Sequence, residues 1–70
     1  MSIQTTLGNN VRRIRESRGW SQDKLSEESG LHRTYISGIE RGVRNPTIQI
    51  VQEIALALEI SPSKLLENRD

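Results

Sequence analysis

Hydrogen-bonding side chains recur along one side of residues 33–41 in this 70-residue chain. Ile36 and Ile39 lie about one helical turn apart, so they mark the inward side of a predicted helix. The outward side then carries Arg33, Thr34, Ser37 and Arg41, with Tyr35 at its margin. Arginine can donate two hydrogen bonds to guanine O6 and N7, and threonine or serine can bond a base or contact a thymine methyl group. Such a face has the chemistry to read base edges in the major groove of DNA.

Two short helices joined by a glycine-containing turn are predicted to present this face. Ser21 is suited to cap the first helix. The second helix begins at His32 or Arg33 and ends at Arg41. A helix-turn-helix pair of this kind, here about residues 21–41, inserts its second helix into the major groove.

Further polar residues at the edges of the pair are predicted to contact DNA phosphates. Contacts of this type orient a protein on DNA without reading its sequence. The residues are Gln22, Arg41, Arg44 and Asn45. Gln22 stands at a helix N-terminus, where backbone N–H groups favour an anion. Three alternatives remain open: Gln22 and Arg33 are ordinary solvated side chains, or Tyr35 only packs its ring at the helix margin.

Three more helices complete an all-α domain. The first has an apolar stripe at helical spacing, with Thr5 or Thr6 as its cap. Thr47 is suited to cap the fourth helix, and Pro62 to open a short fifth. No segment alternates apolar and polar residues as a strand does. The sequence predicts one five-helix domain over residues 1–70, with core-facing residues that include Leu7, Val11, Ile14, Val51, Ala55 and Leu58.

The residue types present argue against an enzyme. The chain has no cysteine and one histidine, His32, so neither a metal site built on these residues nor a nucleophile–base pair is available. Glu27 and Glu28 are adjacent, and adjacent residues on a helix do not face each other. We predict no catalytic activity, no metal, no cofactor and no small-molecule ligand.

The apolar runs and the charge distribution narrow the compartment and the partners. The longest apolar run, residues 54–58, is far shorter than the ~20 residues that cross a bilayer. The N-terminus lacks the features of a secretion signal, so we expect a cytoplasmic protein with no membrane partner. The net charge is +1, but the chain carries eight basic and five acidic residues through Arg44, against two and four from Asn45 onward. The basic part suits DNA, and chance asymmetry on a solvated surface is the alternative.

Several separated motifs resemble the lambda-repressor-like family of DNA-binding domains, the Cro/repressor type. They are Gly19-Trp20-Ser21-Gln22-Asp23-Lys24-Leu25, Ser29-Gly30-Leu31, Tyr35-Ile36-Ser37-Gly38-Ile39-Glu40-Arg41-Gly42 and Arg44-Asn45-Pro46-Thr47. Together they span most of the chain at the spacing of that family. The small size and the wording of residues 33–41 also resemble the controller proteins of restriction–modification systems.

This resemblance implies roles for individual residues. Gln22 matches a glutamine that binds a phosphate and abuts the start of the recognition helix, the second helix of the pair. Arg33 and Thr34 match base-contacting positions early in that helix. Arg15 and Glu40 match a partly buried ion pair that ties the first helix to the recognition helix.

Three positions depart from the family pattern. Gly38 occupies a position that often carries a base-reading glutamine, so one expected base contact is missing. Ser26 stands where the family usually has alanine, and its hydroxyl needs a hydrogen-bond partner. His32 occupies the N-cap region of the recognition helix, where Ser, Thr or Asp would cap better.

A single recognition helix contacts too few base pairs for regulation, so we expect a homodimer. A two-fold dimer would space two recognition helices by about 34 Å, one turn of DNA, on a near-palindromic operator. Its predicted interface lies within residues 47–67 and includes Ile50, Pro62 and Leu65, although scattered exposed apolar residues are the alternative. The sequence thus predicts a transcription regulator, with RNA polymerase as a candidate second partner. A small antitoxin-like protein-interaction module without sequence-specific DNA readout is the rival.

Overall fold

The computed structural model describes residues 2–68, and the regular elements in that range are all α-helices. They are α1 (Ile3–Ser17), α2 (Gln22–Ser29), α3 (Arg33–Glu40), α4 (Ile48–Leu58) and α5 (Pro62–Leu66). The predicted five-helix, all-α class is confirmed. None of these helices is both long enough and apolar enough to cross a membrane.

Helix α1 begins earlier than its apolar pattern suggests. The Ser2 hydroxyl accepts a hydrogen bond from the Thr5 backbone N–H at 3.1 Å, so the prediction of Thr5 or Thr6 as the cap is wrong. The first turn of α1 is mostly exposed, and the apolar stripe starts only at Leu7. Periodicity therefore gives no signal for that turn.

The other helices begin at the residues that the sequence predicts. Ser21 caps α2 and Thr47 caps α4, each through its side-chain oxygen. His32 precedes α3 without a side-chain cap, and Pro62 is the first residue of α5. Helix α3 thus depends on packing rather than on capping for its stability.

The five helices enclose one core of ten buried apolar side chains. Ile36 and Ile39 are fully buried, so the inward side of α3 is the predicted one. Leu65 is also fully buried, at 0% exposure, while Leu66 is 40% exposed. Leu65 is therefore wrong as a dimer-interface residue, because the core of its own chain already surrounds it. The ten residues are Leu7, Val11, Leu25, Ile36, Ile39, Val51, Ile54, Ala55, Leu58 and Leu65.

A buried asparagine fastens the last helix to the first. Asn10 Nδ2 donates hydrogen bonds to the backbone oxygens of Leu65 at 2.9 Å and Glu67 at 2.8 Å. Carbonyl groups at a helix C-terminus have no partner within their own helix, so Asn10 satisfies groups that α5 cannot. The short α5 is thereby held by polar bonds as well as by Leu65.

Helices α1 and α3 approach each other closely at Gly8. A Cβ atom at this position would overlap the carbonyl oxygen of Ile39 and lie 2.8 Å from that of Glu40. Gly8 is buried, and the nearby obstacles are backbone atoms that cannot rotate away. Only glycine fits this crossing, which brings α1 against the end of α3.

Candidate nucleic-acid interface

The turn between α2 and α3 is built from backbone and serine hydrogen bonds. Gly30 ends α2 with a φ of 77°, a left-handed conformation that glycine adopts without strain, and its N–H donates to the Ser26 carbonyl. The Ser26 hydroxyl donates to the Leu31 carbonyl, and the Leu31 N–H donates to the Ser29 hydroxyl at 3.2 Å. The departure at Ser26 therefore has the partner that its hydroxyl requires.

The side of α3 opposite the core is polar. Arg33, Thr34 and Arg41 are exposed, and Ser37 is half-buried. Tyr35 is also half-buried and packs against the core, so part of its ring is structural. Ser37, Arg41 and Gln22 line one open hollow of about 300 Å³ with Arg12 of α1, a basic residue that the sequence interpretation missed.

Arg33 is paired with an acidic residue of α2. Its Nε lies 3.1 Å from Asp23 Oδ1, and both side chains are well exposed. Exposed pairs of this kind contribute about 0–1 kcal/mol, so the pair does not prevent Arg33 from bonding another acceptor. The sequence indicated Asp23 only as a first-turn acid of α2, because its partner lies ten residues further along the chain.

A buried polar cluster joins three helices at the end of α3. Arg15 Nε and Nη2 donate to Glu40 Oε2 at 2.7 Å and Oε1 at 2.9 Å, and Arg15 Nη1 donates to the Trp20 carbonyl at 2.7 Å. The hydrogen bond with Glu40 raises the pKa of Arg15 above its ordinary value, against the opposing effect of burial. The guanidinium therefore stays charged inside the fold.

Gln22 belongs to the same cluster. Its Nε2 donates to Glu40 Oε1 at 3.0 Å, so its hydrogen bond reaches the last residue of α3 rather than the start that the resemblance implied. An amide nitrogen carries two hydrogens, which leaves Gln22 one N–H for a further acceptor. The cluster thus fixes the orientation of the predicted phosphate-binding side chain.

Arg44 lies across the outer surface of α3. Its guanidinium carbon is 5.6 Å from the centre of the Tyr35 ring, and its aliphatic carbons pass next to Gly38. Asn45 follows in the same loop and is exposed. The structure therefore brings Arg44 and Tyr35 together, although the sequence assigned them to different kinds of DNA contact.

The helix-turn-helix family model matches residues 11–65, which include α2, the turn, α3 and α4. The chain belongs to the helix-turn-helix family. Its members are DNA-binding transcription regulators and not enzymes. Helix α3 is the recognition helix in this arrangement.

Relatives within the family agree with the narrower resemblance. The chain is 46% identical to the control protein C.BamHI of Bacillus amyloliquefaciens over 67 residues, which cover 94% of this chain and 83% of that protein. The solved structure of the restriction-modification controller protein C.AhdI from Aeromonas hydrophila superposes with a TM-score of 0.86 at 39% identity, covering 89% of this chain and 94% of that one. The resemblance to lambda-repressor-like domains and to controller proteins is confirmed.

One similar structure contains DNA. The master regulator for biofilm formation SinR, solved in complex with DNA, superposes with a TM-score of 0.82 at 32% identity. The superposition covers 87% of this chain and 98% of that chain. This helix-turn-helix chain therefore has the backbone of a protein that has been observed on DNA.

The remaining apolar surface of this helix-turn-helix chain is concentrated after the recognition helix. Pro62 is exposed, whereas Ile50 is half-buried and packs against the core. The large hydrophobic side chains exposed on α4 and α5 are Ile48, Leu56 and Leu66, and Ile48 is 86% exposed. Outside these two helices, the described residues expose only Ile3 and Val43 to a similar degree.

Proposed function

We propose that this chain is a sequence-specific transcription regulator that binds a near-palindromic operator as a homodimer and controls a restriction–modification system. The observation that carries the proposal is the polar outer face of the recognition helix, with Arg33 and Thr34 exposed in its first turn. Recognition helices contact base edges mainly through their N-terminal residues. The restriction–modification context rests on the similarity to C.BamHI and C.AhdI.

The proposed contacts fall into two classes. Arg33, Thr34 and Ser37, with the Tyr35 hydroxyl, contact bases and carry sequence discrimination. A second group contacts phosphates and fixes the position of the helix in the groove. The phosphate-binding group is Gln22, Arg41, Arg44 and Asn45.

Homodimerisation through α4 and α5 is the second part of the proposal. These helices expose Ile48, Leu56 and Leu66, and apolar residues beyond the needs of a small core are typical of an interaction surface. Ile50 and Pro62 remain candidates at the edge of this surface, which no longer includes Leu65. Pairing two chains gives two recognition helices and therefore the affinity and specificity that one helix lacks.

The regulator would act in the bacterial cytoplasm, where an occupied promoter either blocks or recruits RNA polymerase. An antitoxin-like protein-interaction module is the less favoured candidate. Such a module would be expected to present aromatic or leucine anchors on its binding face. The outer face of α3 presents arginine, threonine and serine instead.

Replacing Arg33 with alanine is expected to relax the choice of sequence. Selection of bound DNA from a random pool should give a near-palindromic consensus for the wild type, with half-sites about one helical turn apart. The Arg33→Ala variant should lose preference at one position of each half-site and about 1–3 kcal/mol of specific binding. Failure of the wild type to enrich any sequence would overturn the proposed function.

Arg18→Ala is the matched control for this prediction. It removes the same charge at the end of α1, where Arg18 Nη1 lies 3.8 Å from Glu59 Oε1. Its consensus should equal that of the wild type. Equal losses by Arg33→Ala on operator and random DNA would contradict direct readout by Arg33.

Replacing Ile48 with glutamate is expected to give monomers. Ile48 is almost fully exposed, so the substitution leaves the core intact and places a charge on the proposed interface. Sedimentation equilibrium and cooperative operator binding should both reveal the loss of the dimer. Val43→Glu is the control, because Val43 is 65% exposed but lies in the loop before α4. If the Ile48→Glu protein sediments as a dimer, this surface is the wrong one.

A further inference from the structure

Glycine 38 is an unusual residue for the middle of an eight-residue helix. Glycine is disfavoured in helix interiors relative to alanine, so a close neighbour is the usual structural reason to find one there. A Cβ atom at this position would lie 2.6 Å from Arg44 Cγ, 3.3 Å from Arg44 Nε and 3.5 Å from Arg44 Cδ. The arginine therefore occupies the space that any other side chain at residue 38 would need.

Two further contacts hold Arg44 in this place. The guanidinium lies over the Tyr35 ring, with its central carbon 5.6 Å from the ring centre, a geometry that attracts a cation. The Val43 N–H donates to the Gly38 carbonyl at 3.0 Å, which fixes the start of the loop directly before Arg44. No ion pair within residues 2–68 engages this guanidinium, so its N–H groups face solvent beside the recognition helix.

We propose that Gly38 and Tyr35 form a seat for Arg44 and that Gly38 is thereby a positioning residue for DNA binding. The seat fixes the arginine beside α3, where its guanidinium meets a backbone phosphate. A long side chain that is held in place before binding loses less rotamer freedom when it binds. The position that lacks a base-reading side chain thus contributes to DNA binding by making room for a residue from the loop. This inference rests on the proposed function.

The neighbour at Gly38 is a flexible side chain, so the seat can be removed without unfolding the protein. In the Gly38→Ala variant, Arg44 rotates away and the helix gains a residue of higher helix propensity. Its melting temperature should equal or exceed that of the wild type. DNA binding should nevertheless fall, which separates a positioning role from a structural one.

The first test needs no DNA. The δ protons of Arg44 should show an upfield ring-current shift in the NMR spectrum of the full chain, since the side chain packs on Tyr35. The shift should disappear in Gly38→Ala and in Tyr35→Leu. A shift that persists in Gly38→Ala overturns the seat, whatever the DNA-binding activity of the chain.

The second test is a double-mutant cycle on the operator at several salt concentrations. Arg44→Ala and Gly38→Ala should each reduce the slope of log K against log salt by about 0.9, the value for one phosphate contact. The double variant should lose no more than either single variant, because both remove the same contact. Arg41→Ala is the control, and its effect should add to that of Gly38→Ala.

The outcomes of the second test separate the two proposals. A wild-type salt slope in Gly38→Ala, or additive losses with Arg44→Ala, overturns the positioning role and leaves the proposed function standing. A wild-type chain that binds no DNA overturns the proposed function and the DNA-binding part of this inference, and the NMR test still decides whether the seat exists.

Discussion

Alanine in place of Glu40 is expected to lower the free energy of unfolding by about 3–5 kcal/mol. The Glu40 side chain is 4% exposed and that of Arg15 9%, so the substitution leaves a guanidinium buried without its carboxylate. Gln22 loses the acceptor of its hydrogen bond at the same time. A loss of this size is a large fraction of the stability of a small domain. Urea unfolding followed by far-ultraviolet circular dichroism measures it.

Two variants control this prediction. Glu16 also lies near Arg15, at 4.0 Å, but its side chain is 55% exposed, so Glu16→Ala should cost no more than about 1 kcal/mol. Replacing Arg15 with Met and Glu40 with Leu together should recover much of the loss, because no buried charge is left unpaired. A Glu40→Ala protein within 1 kcal/mol of the wild type would mean that the cluster is not a structural support of α3.

The variant Gly8→Ala is expected to lose about 3 kcal/mol or more of unfolding free energy. The added methyl group meets the backbone oxygens of Ile39 and Glu40, and neither can rotate away. The helices α1 and α3 must therefore separate, which opens the core between them. Thermal unfolding followed by circular dichroism gives the change.

Gly38→Ala is the matched comparison for this second prediction. Both substitutions add one methyl group to a glycine within a helix, and helix propensity favours both by about 1 kcal/mol. They differ only in what the methyl group meets, which is backbone at residue 8 and a flexible side chain at residue 38. Equal stability of the two variants would refute the steric argument.

Local patterns were enough to predict most of the fold. The spacing of Ile36 and Ile39 determined which side of α3 faces the core, because helical period alone fixes the phase over eight residues. Ser21 and Thr47 could be identified as caps because a cap acts on residues two or three positions away. The family resemblance added the pairing of Arg15 with Glu40, which spacing alone does not indicate.

Phase could not be predicted in the shortest helix. Helix α5 has five residues, and its two leucines are adjacent, so either could face the core. Packing against α1 and α4 decides in favour of Leu65. The candidate interface derived from the sequence was wrong at that residue for this reason.

Contacts between distant residues were also beyond the sequence. Asn10 bonds backbone atoms 55 and 57 residues away, and no composition or period signals a buried asparagine. The pairing of Arg33 with Asp23 and the packing of Arg44 on Gly38 have the same character. In each case the side chain was visible, but its partner depended on how the helices cross.

The attachment of α5 through Asn10 has a consequence for the way two half-sites are measured. Gly8, Asn10 and Arg15 lie within eight residues of α1, about 12 Å of helix, and they fasten both α5 and the recognition helix. In the homodimer we propose, no flexible joint then separates the subunit contact from the reading head. The protein works as a calliper of fixed opening, so an operator with altered spacing must be accommodated by twisting the DNA.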